Sequence, residues 1–377
     1  MIKYYSYYKK GDDILKNTFG SSVALTIFGE SHGQAIGAVL DGLASGVPVD
    51  ESFIEKQMNL RRAVGKLSTA RQEADKVKIL SGVFNGKTTG TPITFIIENQ
   101  DTKSRDYGEL AYKARPAHAD FTAQMKYHGF QDFRGGGHFS GRITAGIVAA
   151  GAVAISALAK KGIKIGTHIL SCGGVYDRNF NDIEKDIDIL NNLEFAVLDN
   201  QKAEEMKSVI SAAKEDSDSV GGRLETAVVG FPAGVGEPWF DTLESVLSHA
   251  LFSIPAVKGV EFGNGFACAD IKGSENNDAY FSENGKVFTK TNNSGGITGG
   301  ISNGMPLIFR CAVKPTPSIY KQQQTINLNT FEETSLQIQG RHDPAIVHRA
   351  RVVADSMTAL VLCDQLALRY GTDWIAE

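Results

Sequence analysis

Two stretches of this chain have the composition of helices that are apolar on every side. Residues 142–161 carry alanine, glycine and isoleucine around the whole helical circumference, and residues 350–369 form a second, alanine-rich segment of the same character. A helix without a polar face is not a surface helix, so it must be buried between other layers. The sequence therefore predicts an α+β fold in which buried apolar helices lie inside and sheets lie outside.

The overall composition is that of an ordinary globular protein. The 377 residues are 42% hydrophobic and 22% charged, with a formal net charge of −4. A mildly acidic chain is a poor non-specific binder of nucleic acid, because such binders carry a basic excess that neutralises phosphates. We therefore expect no nucleic-acid partner, and any anion-binding site must be local.

The cysteines and the apolar segments indicate the cellular compartment of the protein. Cys172, Cys268, Cys311 and Cys363 are scattered, with no CxxC pair among them. Isolated thiols in apolar surroundings indicate buried core residues of a reducing compartment, so we expect neither a disulfide framework nor a bound metal. The chain shows no uncharged apolar run of ~18 residues and no signal-peptide core, which predicts a cytoplasmic protein without membrane contact.

The pattern along the chain favours one domain. Residues 1–16 are polar and irregular and are predicted to be a flexible N-terminal extension, whereas residues 17–377 contain no linker rich in proline, serine or glycine. A helix is expected after the capping residue Asp50. Strands are predicted at residues 23–28, 35–40, 76–80, 92–97 and 307–313.

Four loops combine histidine with glycine or proline and with charged residues. They read GESHG (29–33), RPAHAD (115–120), RGGGHFSGR (134–142) and GRHDP (340–344). Imidazole titrates near ~6.5 and serves as acid or base at cellular pH, so His32 and His118 are the candidate proton carriers. The remaining histidines outside these loops are expected to be structural or exposed: His128, His168, His249 and His348.

Cations also cluster in these loops. Arginine forks can hold a carboxylate or a phosphate with two hydrogen bonds, so several on different loops suit one polyanionic ligand. Arg71 and Arg134 are interpreted as solvated surface residues. The segment KPTPS (314–318) follows a predicted strand, and its hydroxyls and stiff backbone suit a clamp for a phosphate or a ring edge. Neither a phosphate loop of the GxxxxGK[ST] type nor GxGxxG is present, so a cofactor would bind outside the usual dinucleotide fold.

The motifs taken together resemble the chorismate synthase family. Beside the four histidine loops, GGISNGMP (299–306) and KPTPS (314–318) keep the order and spacing of that family from Asn17 to the C-terminal helix. The resemblance implies a β-α-β sandwich with a helical layer between two sheets, assembled as a homotetramer. It also implies a lyase of the shikimate pathway that converts 5-enolpyruvylshikimate 3-phosphate to chorismate and phosphate by anti 1,4-elimination. This reaction requires reduced FMN although it has no net redox change.

The resemblance also assigns roles to residues. His32 would protonate the leaving phosphate, His118 would lie at the reduced flavin and adjust its protonation, and Asp343 would assist proton transfer at flavin N5. The residues implied to grip the substrate or cofactor are Arg62, Lys66, Arg115, Arg142 and Arg341. Those implied to contact FMN are His138, Phe139, Ser140, Pro255, Ala256, Gly299, Lys314, Pro315, Thr316, Pro317, Ser318 and Arg341. Because no separate reductase segment is seen, an external flavin reductase is the expected partner.

This chain departs from the family pattern at several positions. Ala117 stands where the family has glycine, the segment before Lys66 is shortened, and Asp355 stands where glutamate is typical. The pair His138-Phe139 replaces the arginine-serine pair of many members. None of these changes removes a proposed proton carrier.

Two other classes of function are compatible with similar loops. A flavin-dependent oxidoreductase would consume reduced nicotinamide in proportion to substrate. A non-catalytic binding protein for a phosphorylated metabolite would have no need for His32, His118 and Asp343 together.

Overall fold

A computed structural model describes residues 17–62, 75–99, 111–338 and 342–376 of the chain. The predicted N-terminal extension at residues 1–16 lies outside the described residues, as do Lys66, Arg71 and Arg341.

Two antiparallel sheets form the outer layers of the fold. Their strands are β1 (Thr18–Phe19), β2 (Ala24–Gly29), β3 (Ala35–Asp41), β4 (Val77–Ser81), β5 (Ile93–Glu98), β6 (Lys164–Cys172), β7 (Val175–Tyr176), β8 (Gly222–Val229), β9 (Val257–Phe262) and β10 (Leu307–Val313). The first sheet has the order β1-β2-β3-β5-β4, and the second has the order β9-β10-β8-β6-β7. Alternate residues of β5, Ile93, Phe95 and Ile97, are buried, as the two-residue period of a strand with one face in the core requires.

Shorter elements connect and flank the sheets. The helices are α1 (Glu51–Arg61), α2 (Asp120–Lys126), α3 (Thr144–Lys160), α4 (Ile183–Leu190), α5 (Asn200–Glu215), α6 (Leu243–Phe252), α7 (Gly273–Asn276) and α8 (Val347–Tyr370). Two-stranded hairpins pair Val83–Phe84 with Lys87–Thr88, Tyr280–Glu283 with Lys286–Thr289, Ile297–Thr298 with Ile301–Ser302, and Gln323–Ile326 with Glu333–Leu336. The Asp50 carboxylate caps α1 by accepting from the backbone N–H groups of Ser52 and Phe53, so the predicted helix start is confirmed.

The two apolar helices form the inner layer, which confirms the predicted sandwich. Small residues on α3 let it approach both neighbours closely. A Cβ at Gly146 would lie 2.8 Å from the Gly37 carbonyl oxygen of β3, and a Cβ at Gly151 would lie 2.3 Å from the Ser356 side chain of α8. The two helices therefore form one layer between the sheets, with α3 packed on the first sheet and α8 on the second. The helical segment Gly141–Lys160 is long and apolar enough to cross a membrane, but most of it is buried inside the molecule, as in a core helix.

A buried acid joins α8 to the second sheet. The Thr167 hydroxyl of β6 donates to Asp355 at 2.6 Å, and Arg351 lies 3.7 Å from the same carboxyl group. Burial raises the pKa of Asp355 to about 6, although Arg351 and Thr167 oppose that effect. The aspartate that replaces the family's glutamate thus lies in the core between helix and sheet.

The cysteine prediction is confirmed at three positions and is wrong at the fourth. Cys172, Cys311 and Cys363 are buried, and burial raises the pKa of the Cys172 and Cys311 thiols to about 12. Cys268 is exposed instead, because it lies in a single 3-10 turn at Gly265–Asp270, in which every residue is exposed or half-buried.

The outer face of the second sheet carries a buried ion cluster around His168. The His168 Nδ1 atom lies 2.8 Å from Asp177, and its Nε2 atom lies 3.0 Å from Glu225, which also pairs with Arg310 at 2.7 Å. Burial alone would lower the pKa of His168, but the two carboxylates outweigh it and raise that pKa above its ordinary value. His168 is therefore a structural histidine, as predicted, and the two carboxylates favour its charged form.

This cluster predicts a specific pH dependence of stability. A raised folded-state pKa contributes stability that is complete below the unfolded value of ~6.5 and is lost as pH rises through the folded-state pKa. Removing one partner of a buried pair costs about 3 to 5 kcal/mol, so we expect His168→Gln to lower the free energy of unfolding by that order at pH 6 and to flatten its decline at alkaline pH. Urea unfolding of both proteins across this pH range tests the prediction; a wild-type slope retained by the variant would contradict it.

Candidate active site

The GESHG loop packs against a left-handed glycine turn. Gly135, Gly136 and Gly137 have φ values of 58°, 82° and 52°, which favour glycine over any other residue. The Ser31 backbone N–H donates to the Gly137 carbonyl at 3.1 Å, which fixes the loop on the turn. A Cβ at Gly135 would lie 2.2 Å from both Cε1 and Nδ1 of His32, so the imidazole lies directly on this glycine.

His118 lies against the next glycine of the same turn. A Cβ at Gly136 would lie 3.4 Å from both Cε1 and Nε2 of His118. His32 and His118 are far apart in the sequence, but each has its ring edge against one of two consecutive glycines. The structure therefore brings the two predicted proton carriers to one place.

A fixed ion pair supports His118. Asp120 Oδ1 lies 2.9 Å from His118 Nδ1, and the same carboxylate accepts from Arg115 Nε and Nη2, each at 2.7 Å. Burial lowers the pKa of His118, and the nearby Arg115 and Lys314 lower it further, while Asp120 opposes them. Although burial alone would raise it, the pKa of Asp120 is held well below its usual range by Arg115 and His118. In the described structure, His118 is therefore neutral and Asp120 is ionised at neutral pH.

Ala117, the residue that replaces a glycine of the family, adopts a left-handed backbone. Its φ is 56°, a region that L-residues occupy only with strain. Its carbonyl oxygen accepts from Lys314 Nζ at 2.5 Å, so the KPTPS segment lies beside the RPAHAD loop.

This strain gives a testable stability change. We expect Ala117→Gly to raise the free energy of unfolding by about 1 kcal/mol, because glycine adopts positive φ without strain. Ala212→Gly is the matched control: Ala212 is exposed in the last turn of α5, where its backbone is helical and glycine costs up to about 1 kcal/mol. Denaturant unfolding of the two variants should give changes of opposite sign, and a destabilised Ala117→Gly would show that the backbone there is not strained.

A network of buried charges links the GESHG loop to the start of α8. Asn99 donates to the carbonyls of Glu30 and Gly33 at 3.0 Å and 2.9 Å, and its own carbonyl accepts from Arg142 Nε at 3.0 Å. Arg142 and Arg61 both pair with the buried carboxylate of Asp75. These two guanidiniums hold the pKa of Asp75 below its usual range although burial alone would raise it.

Asp343 belongs to the far end of the same network. Arg349 donates to the Arg61 carbonyl at 2.9 Å and pairs with Asp343 at 2.6 Å. Beside it, the Tyr320 hydroxyl accepts from the His342 backbone N–H at 3.2 Å. Arg62 is the C-cap of α1, directly after Arg61. Of the described cations of the predicted site, Arg142 shares Asp75 with Arg61, whereas Arg115 pairs with Asp120 beside His118.

The KPTPS segment presents an unsatisfied hydroxyl. Thr316 Oγ1 is buried and has no hydrogen-bond partner among the described residues, whereas the Thr316 carbonyl accepts from Ser219 Oγ at 2.7 Å. The Lys314 backbone N–H donates to the Ala256 carbonyl at 2.9 Å, so Pro255 and Ala256 adjoin this segment. A buried donor without a partner, next to a lysine, suits an anionic ligand.

The His138-Phe139-Ser140 segment continues the glycine turn. His138 Nδ1 lies 2.7 Å from the Gly29 carbonyl oxygen and Nε2 lies 3.2 Å from Asn17 Oδ1, so this ring ties the turn to β2 and to the start of the described chain. The exposed Phe139 ring lies 6.1 Å from the Tyr127 ring. Ser140 caps the following 3-10 turn by accepting from the Arg142 backbone N–H.

Gly299 is not brought to this cluster. Gly299 precedes Gly300, whose carbonyl accepts from the Leu243 backbone N–H at 2.9 Å at the start of α6. Pro255 and Ala256 follow the other end of that helix, roughly 15 Å away for a helix of ten residues. Within one chain, the predicted flavin contacts therefore fall into two groups.

Several residues of the site carried no recognisable signal in the sequence. Asp75, Asn99 and Arg349 hold the predicted cations and Asp343 in place, yet each stands outside the histidine loops. Asp120 lies inside RPAHAD and was found with the motif but not assigned a role.

Comparisons with known proteins agree with these motifs. The family model described as chorismate synthase matches residues 23–367. The chain is 47% identical to a chorismate synthase of Methanosarcina mazei, covering 94% of this chain and 97% of the relative. It is 46% identical to one of Pyrococcus abyssi, covering 93% and 97% of the two chains.

The comparison of structures also matches this chain to chorismate synthase. A crystal structure of chorismate synthase matches with a TM-score of 0.74 and 32% identity, and the match covers 94% of each chain. The chain therefore belongs to the chorismate synthase family.

Proposed function

We propose that this protein is a lyase that converts 5-enolpyruvylshikimate 3-phosphate to chorismate and phosphate by anti 1,4-elimination. Membership of the chorismate synthase family supports an enzyme that forms chorismate. The observation that carries the proposal is the placement of His32 and His118 on consecutive glycines, within a site that also contains fixed cations. Such a site can hold an anion and move protons beside it.

The cations account for binding of the substrate. The substrate carries a phosphate and two carboxylates, and arginine forks match both groups. Arg142 is largely buried, and Asp75 and Asn99 fix its side chain before the ligand arrives. Preorganised positive charge of this kind stabilises a departing phosphate without a further rearrangement.

The residues present also fit reduced FMN. Lys314, the unsatisfied Thr316 hydroxyl and Ser318 would hold its phosphate or ring edge, and Phe139 offers an exposed aromatic surface next to the glycine turn. When bound, reduced FMN supplies electron density to the substrate and regains it, so the reaction has no net redox change.

Different titratable side chains carry the separate proton transfers of the reaction. In the elimination, the bond from C3 to the phosphate oxygen and the C6–H bond both break. His32 would donate a proton to the departing phosphate, and Asp343, held by Arg349 at 2.6 Å, would assist transfer of the C6 proton to N5 of bound reduced FMN. His118, neutral beside Asp120, accepts or shares a proton at Nε2 on the flavin side.

The proposal also covers the oligomeric state of the protein, its cellular location and its partner protein. The placement of Gly300 and Lys314 near opposite ends of α6 supports an oligomer in which a second copy completes the site, and the number of four subunits stays a prediction from the resemblance. An external flavin reductase and a cytoplasmic location stay predictions from the sequence.

Product stoichiometry tests the proposal. The purified protein is given 5-enolpyruvylshikimate 3-phosphate and dithionite-reduced FMN without oxygen, and chorismate absorbance and phosphate release are followed. We expect equal amounts of both products, and none with oxidised FMN. Folded protein that binds flavin and substrate but releases no phosphate would exclude the lyase.

A further inference from the structure

We propose that Asp120 is a positioning residue: clamped by Arg115, it holds the His118 imidazole so that Nδ1 carries the proton and Nε2 faces the glycine turn. The inference rests on the proposed function for its catalytic meaning, although its geometry does not depend on it. It also gives Arg115, which the sequence assigns to ligand binding, a second task within the chain.

Arg115 clamps the Asp120 carboxylate. Arg115 donates to this carboxylate from its backbone N–H at 2.9 Å and from Nε and Nη2 at 2.7 Å each. Both side chains are largely buried, with 5% and 8% exposure. Two parallel hydrogen bonds from a planar guanidinium fix the orientation of a carboxylate, so Asp120 cannot turn away from His118.

The His118 imidazole has a defined orientation between Asp120 and Gly136. Nδ1 lies 2.9 Å from Asp120 Oδ1, a close charge contact that lies off the in-line direction of a ring N–H hydrogen bond, whereas Cε1 and Nε2 form the edge that faces Gly136. A carboxylate beside one ring nitrogen favours the proton on that nitrogen and leaves the other nitrogen as an acceptor. His118 therefore presents an acceptor to the same glycine turn that His32 contacts.

Charged groups of both signs surround His118. Arg115 and Lys314 face it with positive charge and lower its pKa, and Asp120 is the negative group that raises it against burial. Asp132, which pairs with Arg134 at 2.8 Å, and His32 contact the same glycine turn. Without the Asp120 carboxylate, burial and the two cations would act unopposed, so the pKa of His118 would fall further.

Exchange of the imidazole Cε1 hydrogen, measured by mass spectrometry of the peptide containing His118, reports the pKa of this residue in the full protein. We expect a pKa below the ordinary ~6.5 in wild type, a further fall of the pKa in Asp120→Asn that corresponds to a rise of at least about tenfold in the acidity constant, and recovery toward wild type in Asp120→Glu. The matched control is Asp186→Asn: Asp186 accepts from Nη1 and Nη2 of Arg178 and from the Asn181 backbone N–H, and it lies at the start of α4 instead of at the glycine turn. This control should leave the pKa of His118 unchanged.

The pH profile of kcat/KM supplies the catalytic readout. Its acid limb should move to lower pH in Asp120→Asn by the same amount as the pKa of His118. An unchanged or raised pKa of His118 in a folded Asp120→Asn variant would overturn the inference, whether or not the enzyme turns over. Absence of chorismate formation by wild type would instead overturn the proposed function, while hydrogen exchange would still test the role of Asp120.

Discussion

Replacing His32 by asparagine is expected to reduce kcat by about a hundredfold to ten-thousandfold, the range that one general acid contributes. The imidazole lies on Gly135 in a pocket where only 7% of the residue is exposed, and asparagine fills part of the space without a titratable nitrogen. Binding of the substrate should change only a few-fold, because the cations that hold it are unaltered. Steady-state turnover with reduced FMN and calorimetric binding of the substrate measure the two effects.

His249→Gln is the control for this experiment. His249 packs edge-on against Phe19, with ring centroids 5.2 Å apart, on α6 and away from the glycine turn. It should retain wild-type turnover. Full activity in His32→Asn would show that His32 is not the proton donor, and loss of substrate binding together with turnover would show that it grips the ligand instead.

Replacing Gly135 by alanine is expected to lower turnover by at least a hundredfold through displacement of His32. The new Cβ would lie 2.2 Å from two atoms of the imidazole and 3.0 Å from Ser31 Oγ, so the ring must leave its place. A displacement of this size removes the alignment on which proton transfer depends. The measurement is kcat with reduced FMN, with the crystal structure of the variant to locate His32.

Gly162→Ala separates this clash from backbone strain. Gly162 has φ of 73° at the end of α3, and a Cβ there would meet open space. Both variants therefore carry the strain of an alanine at positive φ, of order 1 kcal/mol or more, but only Gly135→Ala disturbs a histidine. Equal turnover of the two variants would contradict the placement of His32 on the turn.

The layered fold could be predicted from composition, because two helices that are apolar on every side must be buried between other layers. The apolar segments at residues 142–161 and 350–369 appear as α3 and α8, close to their predicted bounds. The close contacts at Gly146 and Gly151 could not be predicted, because periodicity does not show which small residue meets which neighbour. Burial of Cys268 was wrongly predicted for a related reason: a single exposed turn has no periodic pattern.

The candidate site could be predicted in its chemistry but not in its connections. Histidines beside glycines and arginines identified the loops, and the structure places His32 and His118 on one turn. Asp75 and Asn99 were missed because a lone acid or amide in a polar segment has the same local pattern as a solvated residue. Their importance comes from the partners Arg61 and Arg142, which only the packing of α1 and α3 provides.

The oxidation state of the flavin during turnover tests the central claim most directly, because it separates a lyase from a flavin-dependent oxidoreductase. Substrate is added in large excess over reduced FMN and enzyme without oxygen, and the absorbance of oxidised flavin is recorded together with chorismate and phosphate. The account predicts many molecules of both products for each flavin, with the flavin still reduced at the end. Oxidation of one flavin for each product molecule would contradict it.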